Sequence, residues 1–262
     1  MMFWFLVLFW GCSADHYADK GQAALDSHEL ADAEGHFRAA LSRDARHADA
    51  LAGLGWVYLL AGQRDASLSA FKLCVDVAPS SVDCLRGRAG VASAQGNPKD
   101  ARQWLEKALA LAPYDGGVQS SLALLDLAGG DVDAAIERYE RLVARYPDSA
   151  EYRLGFAEAW LRKKDYQRAL QVIDEGLQVE DSPVRTRAML LQTQARTLIA
   201  ASGKRVDVER CTETAPVVRA WLAAAEQAVN LAGATGVELP DLPTVRRRLK
   251  RQQVRIGNTC PE

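Results

Sequence analysis

Along residues 14–183, small, bulky and helix-ending residues return every 34 positions without an insertion. Framed from Ala14, the segments are 14–47, 48–81, 82–115, 116–149 and 150–183. The eighth position holds Gly21, Gly55, Ala89, Ala123 and Ala157, and the twentieth holds Ala33, Ser67, Ala101, Ala135 and Ala169. A bulky residue stands at the twenty-fourth: Phe37, Phe71, Leu105, Tyr139 or Ile173. Small residues at eight and twenty let two helices cross closely, and the bulky one fills the space between them. The thirty-second position holds Ala45, Pro79, Pro113, Pro147 and Asp181. Proline there ends the second helix, because it lacks an amide donor and clashes with the preceding turn. Gly62, Gly96 and Gly130 share the fifteenth position, where the turn between helices needs a permissive backbone. The pattern predicts five helix pairs.

Past residue 183 the register breaks. Residues 184–200 read as a sixth first helix through Met189, Leu190, Leu191, Leu198 and Ile199. A polar stretch with Gly203 and Pro216 follows, and residues 217–232 read as the partner helix. This sixth pair, 184–232, carries an insertion. Residues 233–262 are expected to form a linker, with Pro240 and Pro243, and a last helix from about Thr244. Val245, Leu249 and Ile256 keep roughly helical spacing there, so one face can close the end of the core.

The second segment, Leu51-x2-Leu54-Gly55-x2-Tyr58, then Ser67-x3-Phe71, then Pro79, resembles the tetratricopeptide repeat. The resemblance covers residues 14–183. It implies an all-α, right-handed superhelical solenoid of about six helix pairs with a C-terminal capping helix. It also implies a protein-binding role in which the first helix of each pair lines a concave groove. Composition agrees with helix: 44 Ala and 32 Leu stand against four Ile.

The N-terminus, Met1 to Trp10, is an apolar run followed by Gly11-Cys12-Ser13. A helix needs about 20 apolar residues to cross a bilayer core, so this run is too short to span and has the length of a signal-peptide core. Ending in Gly-Cys, it resembles the bacterial lipoprotein signal. That implies removal of residues 1–11 and acylation of Cys12, with Ser13 directing the chain to the outer membrane. Phe9 and Trp10 are bulkier than the residues usual there, and no cation precedes the run. An ordinary secretory signal is the alternative. On the lipoprotein reading, residues 12–183 hold the five repeats.

An exported chain meets an oxidising compartment, so the four remaining cysteines are expected to pair. Cys74 lies five residues before Pro79 and Cys84 five after it. A helical hairpin around that proline brings equidistant residues within the roughly 4.4–6.8 Å Cα separation a disulfide needs. Cys211 and Cys260 are the second expected pair, tying the insertion to the tail; four cysteines allow three pairings. A structural zinc site is the weaker reading, since no Cys-x-x-Cys or Cys/His pair at ligand spacing occurs.

Catalytic chemistry has little to stand on. His16, His28, His36 and His47 all lie in the first repeat. His28-Glu29-Leu30-Ala31-Asp32 misses the zinc-protease signature by its second histidine, so no metal is expected and His28 reads as a turn residue. No nucleophile elbow, phosphate loop or dinucleotide fingerprint appears, and Gly53-Leu54-Gly55 belongs to the repeat. No enzyme activity, cofactor or small-molecule substrate is expected. The formal net charge of −2 argues against nucleic acid.

The expected partner is a protein. In the repeat family, positions two, five, nine and twelve face the groove. These give Gln22, Leu25, Trp56, Leu59, Leu124, Leu127 and Leu161 as groove residues, the leucines and Trp56 forming an apolar stripe suited to an amphipathic helix or hydrophobic peptide. The same leucines are equally read as seals between neighbouring first helices. Ala18 and Gln22 replace the Lys and Asn with which related domains grip a C-terminal carboxylate, which disfavours that mode. Arg246, Arg247, Arg248, Lys250, Arg251 and Arg255 make a basic face in the tail. It reads as a solvated helix face or as a contact for anionic lipid or an acidic partner. An exported lipoprotein with six such repeats resembles the pilotins of type IV pili, which help the secretin reach and assemble in the outer membrane. A scaffold for peptidoglycan enzymes is the other reading.

Overall fold

The computed structural model describes residues 13–205 and 211–260, apart from the side chains of 203–205 and 211–214. The described residues form helices and turns, and the chain divides into two compact units that meet between Leu125 and Asp126.

The first unit holds α1 (Ala14–Asp26), α2 (Leu30–Leu41), α3 (Ala48–Leu60), α4 (Arg64–Val77), α5 (Val82–Ala94) and α6 (Pro98–Leu111). The first part of α7 (Gly116–Gly129) completes it. Each first helix is opened by the residue just before its repeat. The Ser13, His47, Ser81, Asp115 and Ser149 side chains accept from the backbone amides of His16, Ala50, Cys84, Val118 and Tyr152. An N-cap of this kind satisfies one of the amides a helix start leaves without a partner. The fifteenth residue then takes the left-handed conformation in all five repeats: His28, Gly62, Gly96, Gly130 and Lys164 have φ of 63, 76, 79, 87 and 65°. Open space surrounds Gly62, Gly96 and Gly130, so backbone handedness, not crowding, selects glycine there.

Packing follows the 34-residue frame. All five residues at position twenty are fully buried, and so, within 1 %, are all five at twenty-four. Ser67, the only polar one at twenty, donates its hydroxyl to the Gly55 carbonyl at 2.8 Å. A further regularity joins consecutive repeats. A Cβ added at Gly53 would lie 2.1 Å from the Phe37 ring, one at Gly87 1.9 Å from Phe71, and one at Gly155 2.4 Å from Tyr139. The sixth position is thus glycine wherever the preceding twenty-fourth is a six-membered ring. After Leu105 it is Ser121.

The second unit continues with α8 (Val132–Arg145), α9 (Ala150–Lys163), α10 (Tyr166–Leu177), α11 (Val184–Arg205), α12 (Cys211–Ala234) and α13 (Leu242–Thr259). Here the expected polar stretch is corrected. Gly203 lies inside α11 and Pro216 inside α12, at the sixth residue of that helix. Leu198, Ile199 and Ala201 keep α11 buried nearly to its end, while Ala215, Val218 and Leu222 bury α12 in the same cluster. That burial offsets the roughly 3 kcal/mol a helix-interior proline costs. The last helix starts at Leu242 and places Pro243 in its first turn, where no amide bond is lost. Val245, Leu249 and Ile256 are buried against α11 and α12. Every regular element among the described residues is a helix, so the fold class is all-α.

Candidate partner-binding cleft

The first helices α1, α3 and α5 together bound a cleft of about 600 Å³ within the first unit. Its apolar surface comes from Ala18, Leu25, Ala52, Trp56 and Leu60, and its polar surface from Gln22, Arg86 and the carboxylates Asp19, Asp26, Asp49 and Asp83. Four carboxylates therefore face one cation. That cation is engaged: Arg86 Nη2 pairs with Asp83 Oδ1 at 2.7 Å, and its guanidinium carbon lies 4.9 Å from the Trp56 ring centroid. Asp26 accepts from the Gln22 amide at 2.7 Å. Asp19 and Asp49 have no ion-pair partner among the described residues. The Trp56 indole Nε1 is buried without an acceptor, and so is Arg86 Nε.

The structure distributes the expected groove residues unevenly. Gln22, Leu25 and Trp56 line the cleft. Leu59 does not. Its Cδ2 lies 3.1 Å from where a Gly90 Cβ would stand, so it seals α3 against α5. Leu127 is a correction: at 6 % exposure it is core and unavailable to a ligand. Leu124 is exposed, Leu161 is half-buried, and neither belongs to the cleft lining. The physical reason is packing against neighbours. Leu59 and Leu127, one turn past position nine, pack into neighbouring helices, whereas Leu25 at the same repeat position stays on the cleft. The carboxylates at positions two and six carry the cleft's character, and the hydrophobic pattern did not point to them. The signal was present as Asp15, Asp49 and Asp83, 34 residues apart.

In the second unit the comparable position-nine residue, Glu158, is answered from within. Arg196 Nη1 pairs with it and Thr193 Oγ1 donates to it at 3.2 Å. Asp126, 5 % exposed, pairs with Arg138 at 2.8 Å.

Cys74 and Cys84, both fully buried, form a disulfide with Cα atoms 5.5 Å apart, joining α4 to α5. Cys260 is disulfide-bonded as well. The Cys211 side chain and Cys12 lie outside what the structure describes. His47 caps α3 and sets its other nitrogen 2.9 Å from Asp15, and His28 occupies the left-handed turn. Arg246, Arg247, Arg248, Lys250, Arg251 and Arg255 are all exposed on α13. Arg248 and Arg251 flank Arg196 at a smaller cavity of about 310 Å³. Burial lowers the Arg88 guanidinium from its ordinary value, with Asp76 acting the other way. Among the described residues, no cluster of three or more His, Cys, Asp or Glu is placed to hold a metal, and no helix is long and apolar enough to cross a membrane.

Among known proteins, a 100-residue stretch is 31 % identical to a CTR9 homolog of Arabidopsis thaliana. That stretch is 38 % of this chain and spans only 9 % of the relative's length. The fold is similar to that of a tetratricopeptide repeat protein from Parabacteroides merdae, with a TM-score of 0.66 and 15 % identity over 92 % of this chain and 84 % of that one. It is also similar to the pilF protein of Pseudomonas aeruginosa, with a TM-score of 0.56 and 19 % identity over 92 % of this chain and 97 % of that one. The tetratricopeptide-repeat family model matches residues 18–76, 61–116 and 121–183, more than half of the chain. With five helix pairs, their crossing residues and their turns in one 34-residue frame over residues 14–183, this chain belongs to the tetratricopeptide-repeat family.

Proposed function

We propose that this chain is an outer-membrane lipoprotein that acts as a pilotin, binding the type IV pilus secretin and promoting its assembly in the outer membrane. Its coarser role is mediating protein–protein interaction, as its family does. The observation that carries the finer reading is the junction at the N-terminus. The helical array starts at Ala14, capped by Ser13, two residues after Cys12. An acyl chain on Cys12 would hold the first repeat against the periplasmic face of the membrane with no intervening linker. The end-to-end likeness to pilF supports the same reading, since it spans nearly all of both chains.

The test is genetic. Deleting the gene should remove secretin multimers from the outer membrane, and the wild-type chain should restore them where Cys12→Ala does not. Multimers that persist at normal levels in the deletion strain would overturn the proposal.

A further inference from the structure

We infer that the cleft between α1, α3 and α5 takes a peptide segment that combines Lys or Arg side chains with aliphatic or aromatic ones. The inference rests on reading the chain as a protein-binding adaptor and specifies the chemistry of what it binds.

Two features of the cleft select that occupant. Its apolar surface, with half-buried Trp56 and 53 % exposed Leu60, favours a segment that brings hydrophobic side chains out of water. Its charge then decides which amphipathic segment fits. Four carboxylates face a single arginine, so an acidic segment meets repulsion and a basic one meets complementary field. The low-dielectric walls of a cleft strengthen that preference.

The protein supplies a precedent for how a cation sits here. Arg86 lies on the face of Trp56 and pairs with Asp83, using an aromatic ring and a carboxylate together. Asp49 stands at the same repeat position as Asp83, one repeat earlier, and Asp19 lies on α1. Among the described residues neither has a cation, so a partner's Lys or Arg completes there what Arg86 completes at Asp83. In the second unit, Asp126–Glu262, the corresponding carboxylate of Glu158 is already held by Arg196 and Thr193.

The experiment uses the folded chain without residues masked by acylation, produced as Cys12→Ala, and three synthetic peptides of about twelve residues sharing one set of apolar positions. Their charged positions are all Lys, all Gln or all Glu. By isothermal titration calorimetry, the Lys peptide should bind at least about tenfold more tightly than the Gln peptide, and the Glu peptide weakest of all. Raising sodium chloride from about 0.05 to 0.5 M should erase most of that difference. The double variant Asp19→Asn, Asp49→Asn should lose about tenfold for the Lys peptide only. Leu60→Ser should weaken the Lys and Gln peptides alike. Both carboxylates are exposed, so circular dichroism and the thermal midpoint should match the parent.

Equal binding of the Lys and Gln peptides, or full binding of the Lys peptide by the double variant, overturns the inference. A self-association in sedimentation velocity that Asp19→Asn, Asp49→Asn abolishes supports the cleft chemistry and identifies the basic helix of a second copy as the occupant. The outcome is separable from that for the secretin. Lys-peptide binding with secretin multimers intact in the deletion strain removes the pilotin reading and leaves the cleft chemistry standing. Lost multimers that the double variant fully restores, with no Lys preference, do the reverse.

Discussion

The two compact units are built from the same repeat, yet they treat inward-facing carboxylates in opposite ways. The first leaves Asp19 and Asp49, among the described residues, without cations around an apolar cleft. The second answers Glu158 with Arg196 and Thr193, and Asp126 with Arg138. A repeat frame therefore sets where helices cross and turn without setting whether a surface is open or closed to a partner. That choice lies at positions such as two and nine, which the frame does not reserve for packing.

The comparison is most exposed to test at the junctions. Gly87→Ala drives a methyl group into Phe71 and should destabilise the protein by about 3 kcal/mol in urea denaturation, with much of the loss recovered by adding Phe71→Leu. At the next junction, where Leu105 precedes Ser121, Ser121→Ala should cost less than about 1 kcal/mol, reflecting its bond to the Gly117 carbonyl. Equal losses at the two sites would remove the distinction between ring and non-ring junctions. Next in size is the covalent tie particular to the first unit. Replacing Cys74 and Cys84 together by Ala should cost about 2–3 kcal/mol by the loop-closure argument for their ten-residue separation. Hydrogen exchange should then quicken in α4 and α5 while α8 to α10 keep their protection. The smallest effects separate the carboxylates themselves. Asp19→Asn with Asp49→Asn should shift stability by less than about 0.5 kcal/mol, whereas Glu158→Gln should cost about 1 kcal/mol by weakening a half-buried ion pair. A larger loss at Asp19 and Asp49 would make them structural.

Much of the architecture was legible in the residues. Alanine at twenty, bulk at twenty-four and glycine at fifteen each follow from sterics that act within one repeat, and a periodic chain displays them many times over. His28 and Lys164 show how strong that frame is, since both adopt a left-handed backbone where three other repeats use glycine. The legible part ended where one repeat meets another. Gly53, Gly87 and Gly155 are ordinary small residues until set against the ring of the preceding repeat, which is 16 residues away in the chain. Leu59 and Leu127 misled for the same reason: hydrophobicity marks a residue as removed from water without saying whether a ligand or a neighbouring helix removes it. Pro216 misled because local helix-breaking is weighed against burial of Ala215 and Val218, which only the packed cluster displays. The cleft was half visible. Trp56, Leu25 and Gln22 stand at groove positions; the acidic ladder of Asp15, Asp49 and Asp83 is periodic too, but an exposed charge does not by itself say whether it borders a cleft or open solvent.

The ring-and-glycine junctions have a consequence for how such an array can be rearranged. A repeat ending in Phe71 accepts a successor with glycine at its sixth place and rejects one with serine, whose side chain would occupy the ring. The fourth repeat, carrying Ser121, cannot be spliced in behind the second, and the fifth, carrying Gly155, would leave a void behind Leu105. The junctions thus sort the modules into two kinds: a repeat ending in a ring takes any successor with glycine at its sixth place, and the fourth repeat, with Ser121, fits behind Leu105 and behind none of the rings.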